Sequence, residues 1–302
     1  MTIHAFEPTR FHTTLGPHEP VLSIADGDTV VTKTVDAHGA DWRSAQVAAR
    51  PNPQTGPFYV EGAEPGDALA VRFDRLTPIR DWGFTSSILA PDVLEPQFAR
   101  ELPAREWIRW RIDAGRGTAT QDTHTGALGA FTVPLEPMVG CFGVAPAGGQ
   151  AISSATSGPH GGNMDYRGFR EGVTVYLPVS VPGALFFIGD GHAAQGDGEI
   201  AGTGIETAFE TQFTLWVLKG KQVSWPRGED AGSIFTAGNA RPLELALQYA
   251  TTEMVRLLRD DHRLDLNAIS LLLGQCVRYD IGNVYDPAYT VVCRLEKRWL
   301  QA

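Results

Sequence analysis

Glycine and proline break most of this chain into short apolar runs. The sequence has 33 glycines and 20 prolines, and through about residue 225 they separate runs rich in β-branched and aromatic residues. Several runs alternate polar with apolar residues, which is the period of a half-buried strand. Many short strands bounded by turn residues predict a β-sandwich or barrel. The predicted strands are Val21–Ile24, Thr29–Val35, Ala68–Phe73, Trp107–Ile112, Val173–Leu177, Ala184–Ile188 and Phe209–Lys219.

Two Pro-Gly pairs precede similar strands. Pro65-Gly66 leads into Ala-Leu-Ala-Val-Arg-Phe-Asp74 after one Asp, and Pro182-Gly183 leads into Ala-Leu-Phe-Phe-Ile-Gly-Asp190. A proline followed by a glycine favours a tight turn, because proline fixes φ and glycine tolerates positive φ. The similarity between the two segments suggests a duplicated β-unit. Chance similarity between two hairpins explains it nearly as well.

The composition changes after Trp225. Within residues 241–259, apolar side chains recur with the helical period of 3.6 residues, which predicts an amphipathic helix. A second helix is predicted over Asn267–Cys276, and Val291–Leu295 predicts a closing strand. We therefore expect a mainly β fold, a sandwich or barrel, with two portions: residues 1–225 as a β-rich core, and residues 226–302 as an α+β portion packed on it. The predicted helix face consists of Leu243, Ala246, Leu247, Ala250, Met254, Leu257 and Leu258.

Charge and composition exclude several classes of protein. The formal net charge is −10 and lysine or arginine runs are absent from the sequence, so nucleic acid is not expected as a partner. The most apolar stretch, residues 173–188, is interrupted by prolines and is not expected to span a membrane. The three cysteines lack a C-x-x-C spacing, and the first residues lack the pattern of a signal peptide. These features predict a soluble cytoplasmic protein that acts on a small molecule.

Two glycine-rich segments carry residues of the types that bind divalent metals. They are His160-Gly-Gly-Asn-Met-Asp165 and Gly189-Asp-Gly-His-Ala-Ala-Gln-Gly-Asp-Gly-Glu199. Glycines let such loops turn sharply, so their polar side chains can converge. Asp190 and His192 are two residues apart, and in an extended segment they point to the same side. Imidazole and carboxylate are usual ligands of a hydrolytic metal, so Asp165, Asp190 and His192 are the predicted ligands.

Other residues of these segments have more than one interpretation. His160 suits a metal ligand or a neighbouring proton carrier, and Asn163 suits a donor to a substrate carbonyl or oxyanion. Glu199 fits a general base, a metal ligand or a partner for Arg167. Glu61, beside Gly62, is a further catalytic candidate if it is buried. The simpler interpretation is that these polar groups cap turns, with His192 on the surface.

Covalent catalysis has weak support in the sequence. Cys141 lies in an apolar run, where a free cysteine is usually a small hydrophobic residue. Ser153-Ser154 lacks the surroundings of a serine nucleophile, and the sequence has no G-x-S-x-G motif. A different class remains open: a metabolite-binding β-sandwich with a structural metal, in which Trp107 and Trp110, on one face of a strand, stack on a ring.

Several motifs together resemble the acetamidase/formamidase family. The similarity covers nearly the whole chain, and its two long metal-type segments are highly specific. The matching pieces are Gln54-Thr-Gly-Pro-Phe-Tyr-Val-Glu-Gly-Ala-Glu-Pro-Gly-Asp67, Gly143-Val-Ala-Pro146, His160-Gly-Gly-Asn-Met-Asp165, Tyr176-Leu-Pro-Val179, Gly183-Ala-Leu-Phe-Phe-Ile-Gly-Asp-Gly-His-Ala-Ala-Gln-Gly-Asp-Gly-Glu199 and Asp286-Pro287.

The resemblance implies a function and a site. It implies hydrolysis of formamide or acetamide to a carboxylate and ammonia, a divalent metal ion, and a homodimer. Zn²⁺ and Ca²⁺ are the leading candidates for the ion, with Mn²⁺ and Fe²⁺ open. On the motif positions of the family, the metal residues would be Asp165, Asp190 and His192, with His160, Asn163 and Glu199 around them.

The N-terminal part departs from the family pattern. Residues 36–41 and 80–84 look less typical, and we expect them to reshape the mouth of the pocket. The amide substrate is therefore open between a short aliphatic one and a larger or cyclic one.

Overall fold

The computed structural model describes residues 1–122 and 128–300, and its architecture is mainly β. The predicted fold class, a mainly β protein with a small C-terminal helical part, is confirmed. The strands of the first half are β1 (Ile3–Phe6), β2 (Thr14–Leu15), β3 (Leu22–Ile24), β4 (Thr29–Lys33), β5 (Thr55–Val60), β6 (Ala68–Pro78), β7 (Trp82–Ser86), β8 (Trp107–Asp113), β9 (Thr118–Gln121), β10 (Thr132–Pro134) and β11 (Met138–Val144).

The remaining strands lie in the second half of the chain, as do the two longer helices. The strands are β12 (Ile152–Ser153), β13 (Ser157–Gly158), β14 (Gly161–Asn163), β15 (Thr174–Pro178), β16 (Phe186–His192), β17 (Glu206–Thr207), β18 (Phe209–Leu218), β19 (Arg227–Glu229), β20 (Ser233–Ala240), β21 (Arg278–Asn283) and β22 (Tyr289–Glu296). The α-helices are α1 (Pro96–Ala99), α2 (Leu243–His262) and α3 (Leu266–Cys276), and short 3₁₀ helices cover Pro91–Val93, Ala147–Gly149, Asp197–Glu199 and Lys297–Leu300.

The described strands form two large sheets and one small one. The nine-stranded sheet has the order β1-β4-β18-β6-β15-β19-β20-β22-β21. The eleven-stranded sheet runs β10-β9-β8-β7-β17-β16-β11-β14-β13, with β5 added beside β16 and β3 beside β5. β12 pairs only with β2. The strands that follow the two Pro-Gly turns, β6 and β16, therefore lie in different sheets.

The main core lies between the two large sheets. Phe73 of the nine-stranded sheet meets Phe142 of the other edge-on, with ring centroids 5.0 Å apart, and Phe213 meets Phe186 at 5.2 Å. All four rings are buried. Such edge-to-face pairs add to the stabilisation from apolar burial. The fold is thus a sandwich held by facing aromatic residues.

Residues beyond 225 complete the nine-stranded sheet and cover one side of it. β19 pairs with β15, and β20, β22 and β21 extend the sheet from there. Helices α2 and α3 pack on these strands through a second apolar cluster. Strands from both sides of residue 225 therefore share one sheet. The cluster consists of Ile234, Ala250, Met254, Leu257, Leu258, Ile269, Leu273, Cys293 and Leu295.

The predicted helices are present, with small differences. α2 buries Ala250, Met254 and Leu258, as its period predicts, but Leu247 is 41% exposed at the edge of the apolar face. α3 begins at Leu266, because the side chain of Asp265 accepts a hydrogen bond from the Ala268 backbone N–H at 2.8 Å and caps the first turn.

Two strand expectations need correction. Trp107 and Trp110 lie on opposite faces of β8, with Trp110 buried and Trp107 about half exposed, because side chains alternate with a period of two along a strand. The strand predicted from Ala184 begins only at Phe186, since Ala184 and Leu185 have positive φ angles of 56° and 58°. It then continues through His192.

The structure also describes the cysteines and the helices. The three cysteines are free. In the described part of the chain, the helices are too short or too polar to span a lipid bilayer.

We expect the buried ion pair between α2 and β19 to matter strongly for stability. Arg227 Nε donates to Glu253 Oε1 at 2.7 Å, and both side chains are almost fully buried. Replacing Glu253 by alanine leaves the guanidinium buried without this partner, so the free energy of unfolding is expected to fall by about 3–5 kcal/mol. Urea unfolding measures it, with the exposed Glu171→Ala variant as control. A loss below about 1 kcal/mol would contradict this role.

Candidate active site

Two acidic residues from separate segments meet across strand β11. Asp165 follows β14, Asp190 lies in β16, and β14 and β16 pair with opposite edges of β11. At the crossing point stands Gly140. A methyl group there would lie 2.2 Å from Asp165 Oδ1 and 2.6 Å from Asp190 Oδ2. The absence of a side chain at this position is what lets the two carboxylates approach each other.

His192 lies at the centre of the site and is completely buried. Its Nδ1 is 2.8 Å from Gln195 Oε1, and Gln195 Nε2 donates to the Asp165 backbone carbonyl at 2.5 Å. Because that second bond fixes the amide, Oε1 is the acceptor and the ring donates from Nδ1. The opposite nitrogen, Nε2, lies 3.0 Å from Glu206 Oε1 and 3.3 Å from Asp190 Oδ1. The imidazole therefore faces two carboxylates.

Glu206 reaches this place through strand pairing. β17 pairs antiparallel with β16, and Glu206 stands directly opposite His192 in the register. The Glu206 side chain is buried, and its second oxygen, Oε2, has no hydrogen-bond partner within the described residues. A buried carboxylate oxygen without a partner is costly, which marks a position for a missing cation or proton.

A second side of the site comes from the 3₁₀ turn at Asp197–Glu199 and from the end of β21. Asn283 Nδ2 lies within hydrogen-bond distance of Asp165 Oδ2 (2.7 Å), Asp286 Oδ2 (2.9 Å) and Glu199 Oε2 (3.1 Å). Asn283 is fully buried. This one amide therefore holds three carboxylates on the same side of the cluster.

Asn52 and Asn163 link the carboxylates of the cluster through hydrogen bonds. The Asn52 amide donates to Asp190 Oδ2 at 3.0 Å and to Asn163 Oδ1 at 2.6 Å. Asn163 Nδ2 in turn donates to Asp286 Oδ2. Gln54 holds Asn52 by donating to its side-chain oxygen at 3.1 Å. These amides orient the carboxylates without adding charge.

The backbone at four of these residues is left-handed. The φ angle is 39° at Asn52, 46° at Asp165, 60° at Asp190 and 45° at Glu199. Non-glycine residues seldom adopt such angles, although Asn and Asp tolerate them best. Strained backbone of this kind tends to gather at functional sites, where the surrounding structure holds it in place.

Burial and neighbouring charges shift the pKa values of the cluster. It raises the pKa of Asp165 and Glu199 well above the usual range, and neighbouring carboxylates raise it further. Burial also raises the pKa of Glu206, to about 8. Burial alone would raise the pKa of Asp190 and lower that of His192, but charge attraction outweighs it in both cases. His192 lowers the pKa of Asp190, and Glu206 first, then Asp190, raises that of His192. The cluster thus has more acidic groups than it can ionise without a compensating cation.

The residues present suit a divalent metal ion. Two triads have donor atoms within 4.8 Å of one another: Asp165, His192 and Glu199, and Asp190, His192 and Glu206. Asp165 Oδ1 is also buried without a hydrogen-bond partner within the described residues. Carboxylate and imidazole donors with unmatched buried oxygens are the chemistry of a metal site.

A cavity of about 310 Å³ opens onto this cluster. We call its polar base the floor, which consists of Asn52, Asn163, Asp190, Glu199, Glu206 and Asp286. We call its mouth the rim, which consists of His38, Arg50, Phe84, Arg105, Trp107 and Tyr285.

The two atypical N-terminal segments meet at the rim. The His38 ring stacks on Phe84, with centroids 4.4 Å apart, and Trp107 stands edge-on to His38 at 4.8 Å. Behind them, Arg80 Nη2 donates to the buried carboxylate of Asp36 at 2.7 Å. Residues 36–41 and 80–84 thus form one wall, which places ring faces at the entrance.

Two of the sequence candidates lie away from the cluster. Glu61 is exposed in the turn after β5, where its carboxylate accepts a hydrogen bond from Ser23 at 3.0 Å. His160 is buried in the turn between β13 and β14, outside the lining of the cavity, and its Nε2 has no hydrogen-bond partner within the described residues. By contrast, Asn163, Asp165, Asp190, His192 and Glu199 come together.

His160 is expected to make the fold sensitive to acid. Burial lowers its pKa to about 4, below the value of 6.5 expected in an unfolded chain. As the pH falls from 6.5 to 4, the unfolded chain takes up the proton first, so stability falls, by about 2 kcal/mol at pH 4.5. His160→Asn is expected to lose that much less stability than wild type between pH 7 and pH 4.5 in urea unfolding. Equal losses would contradict this.

Four acidic or amide residues of the site were not predicted from the sequence: Asn52, Glu206, Asn283 and Asp286. Glu206 lies in a short strand and is adjacent to His192 only through the register. Asn283 and Asp286 lie more than 80 residues after Glu199, although Asp286-Pro287 belongs to the family resemblance. The one local indication for Glu206 was a glutamate next to an apolar residue in Gly204-Ile-Glu206, just before the predicted strand from Phe209.

The chain matches known proteins over most of its length. The model of the Acetamidase/Formamidase family matches residues 7–151 and 147–267. A crystal structure of an acetamidase from Yersinia enterocolitica is 34% identical, with a TM-score of 0.87, and the match covers 99% of this chain and 93% of that one. A predicted acetamidase/formamidase from Thermoanaerobacter tengcongensis is 28% identical, with a TM-score of 0.86 and coverages of 99% and 97%.

A curated relative is similar at a greater distance. A putative formamidase of Schizosaccharomyces pombe is 26% identical over 271 residues, which are 71% of this chain and 66% of that protein. The chain spans between about half and two thirds of the length of the curated relatives it matches.

Proposed function

Because the chain belongs to the acetamidase/formamidase family, we propose that it hydrolyses a short aliphatic amide, formamide or acetamide, with the aid of a divalent cation. The products are a carboxylate and ammonia. The names of two curated relatives, an acetamidase of Mycolicibacterium smegmatis and a formamidase of Methylophilus methylotrophus, support this reaction class.

The observation that carries the proposal is the orientation of His192. Its Nδ1 donates to Gln195, so in the neutral ring the Nε2 lone pair faces the oxygens of Glu206 and Asp190, 3.0 and 3.3 Å away. A neutral Nε2 and the two carboxylates repel one another at these distances, and either a proton on Nε2 or a bound cation removes that repulsion. Metal-binding histidines commonly donate from the other ring nitrogen in this way.

We assign Asp165, Asp190 and His192 as ligands, with Glu199 and Glu206 close enough to join them. When bound, a divalent ion supplies Lewis acidity for the amide carbonyl and for the attacking water. Zn²⁺ and Ca²⁺ are the ions we favour. A charge-compensating ion also fits the buried oxygens of Asp165 and Glu206 that have no other partner among the described residues.

Two residues of the floor supply the oxyanion donor and the proton carrier of the proposed reaction. Asn163 Nδ2 gives one N–H to Asp286 and is positioned to donate the other to the carbonyl oxygen as it gains negative charge. Glu199 lines the cavity and accepts from Asn283 at 3.1 Å, which holds its carboxyl group beside the reacting atoms. We assign Glu199 to accept the proton of water and deliver it to the departing nitrogen, so that ammonia leaves as the C–N bond breaks.

The direct test is ammonia release from formamide and acetamide. Purified protein is assayed as isolated, after exhaustive chelation, and after addition of Zn²⁺ or Ca²⁺. We expect chelation to abolish turnover and one ion to restore it, because the buried acids otherwise repel one another. Full activity in metal-free protein removes the cation from the proposal, and no turnover of any amide removes the function.

A larger amide is a second candidate, and the size of the cavity favours it. A cavity of about 310 Å³ lies in the range of about 300–1,000 Å³ that holds drug-sized ligands, whereas acetamide has four non-hydrogen atoms. Part of this space lies at the rim and is open to solvent. A series of linear and cyclic amides of increasing size, compared by kcat/KM, separates the two candidates.

We also propose a homodimer without nucleic-acid or membrane partners. The family resemblance supports the dimer, and the net charge of −10 opposes binding to nucleic acid. Sedimentation equilibrium tests the oligomeric state, and a monomer at micromolar concentration would contradict it.

A further inference from the structure

The rim carries two guanidinium groups over an acidic floor. Arg50 and Arg105 line the same cavity as Asp190, Glu199, Glu206 and Asp286. Each arginine is tied to a residue next to the cluster. Arg50 precedes Asn52 by two residues, and Arg105 Nη2 donates to the Tyr285 hydroxyl at 2.6 Å, one residue before Asp286. The Arg105 guanidinium is therefore held beside the floor by Tyr285, and Arg50 lines the same cavity from the segment that leads to Asn52.

These two arginines differ from most other basic residues of the chain. Buried or exposed, the majority of lysines and arginines form an ion pair, as Arg80 does with Asp36 and Arg294 with Asp230. Among the described residues, neither Arg50 nor Arg105 has a carboxylate oxygen within 4.0 Å. Arg105 instead lies over the Tyr285 ring, 5.4 Å from its centroid, and Arg50 acts electrostatically on His38.

The rim between them is aromatic and leaves space beyond a two-carbon amide. His38, Phe84 and Trp107 contact one another there, so the wall presents three packed aromatic rings. An extended substrate with its amide at the floor would place its far end at the rim, against ring faces and guanidinium groups. A carboxylate is the group that guanidinium binds best, through paired N–H···O bonds.

We propose that the preferred substrates are amides that carry a carboxylate, with Arg50 and Arg105 binding that carboxylate at the rim. This inference rests on the proposed amide hydrolysis and names its substrate class. The reaction balances as amide hydrolysis: the oxygen of water bonds to the amide carbon, the C–N bond breaks, and nitrogen leaves with the proton. The monoamide of a dicarboxylic acid thus becomes a dicarboxylate and ammonium, and an N-formylamino acid becomes formate and the free amino acid.

Two isosteric pairs of compounds test the inference. Succinamate is compared with succinamide by ammonia release per amide group, and N-formylglycine with N-formylglycinamide by formate release, because each pair differs only in replacing a carboxylate by a neutral amide. We expect kcat/KM to favour the anionic member of at least one pair by about tenfold or more, as charge-assisted hydrogen bonds allow. In Arg50→Gln and Arg105→Gln, and most in the double variant, this ratio is expected to fall towards one.

Arg100→Gln is the matched control, since Arg100 is exposed at the end of α1 and lies outside the cavity lining. It changes the net charge equally and is expected to keep the wild-type ratio. Hydrolysis with no preference for the anions, or a preference that survives in the double variant, overturns the inference and leaves the proposed function standing.

If acetamide, formamide and all four compounds resist hydrolysis, the proposed function fails instead. Binding of succinamate by calorimetry then decides the inference. Binding that weakens at least about tenfold in the double variant supports the anion site, and absent or unchanged binding overturns it.

Discussion

Replacing His192 by glutamine is expected to lower kcat/KM for amide hydrolysis by at least about 10³-fold, because a metal centre contributes several kcal/mol to such a reaction. His192 belongs to both candidate metal triads, so its loss affects either arrangement. Glutamine keeps a polar side chain in the buried position but does not offer an imidazole nitrogen. Ammonia release measures the rate, and the metal content of the purified protein should fall in parallel.

A matched control comes from an acid outside the cluster. Glu61→Gln changes an exposed carboxylate that accepts a hydrogen bond from Ser23. We expect kcat/KM of this variant to stay within about twofold of wild type. Near-UV circular dichroism checks that both variants are folded. A folded His192→Gln protein with normal metal content and activity would refute the assignment of the centre.

Replacing Gly140 by alanine is expected to reduce activity by at least about 10²-fold and to destabilise the fold. The new methyl group would lie 2.2 Å from Asp165 Oδ1 and 2.6 Å from Asp190 Oδ2, closer than non-bonded atoms can approach. The carboxylates must move apart, and misplacement of about 1 Å costs about 10²-fold. Overpacking in a buried strand costs a further 1–3 kcal/mol or so of stability.

The control for Gly140 is a glycine with open space around it. Gly274 lies in α3 with no heavy atom within 4 Å of an added methyl group, so Gly274→Ala is expected to raise stability by about 0.5–1 kcal/mol. Activity should not change there. Wild-type kinetics in Gly140→Ala would show that the two carboxylates need not approach each other for catalysis.

Local patterns predict the two longer helices and eight strands of this chain, while most of the shorter strands were not predicted. The apolar side chains of α2 recur with the helical period, and the alternation of β8 matches its buried and exposed faces. The prediction that Trp107 and Trp110 share one face of β8 was wrong, because residues three apart lie on opposite faces of a strand. The start of β16 was also wrong, since positive φ at Ala184 and Leu185 cannot be read from apolar residues.

The candidate site was predictable where its residues are neighbours along the chain. Asp190 and His192 are two residues apart in a glycine-rich segment, and the structure brings them to 3.3 Å. Asp165 joins them only because β14 and β16 flank β11 on opposite edges. The approach of its carboxylate to Asp190 further depends on the glycine at position 140, a residue that carries no chemistry of its own.

The sequence by itself determined the β-rich fold, the two C-terminal helices and the imidazole and carboxylate groups available for chemistry. Only the tertiary structure decided which of them share one site. Glu206 enters through strand register, Asn283 from the far end of the chain, and Glu61 remains outside on an exposed turn. The physical reason is that side-chain period and turn preference act over a few residues. Strand pairing and burial, by contrast, join residues that sequence distance does not relate.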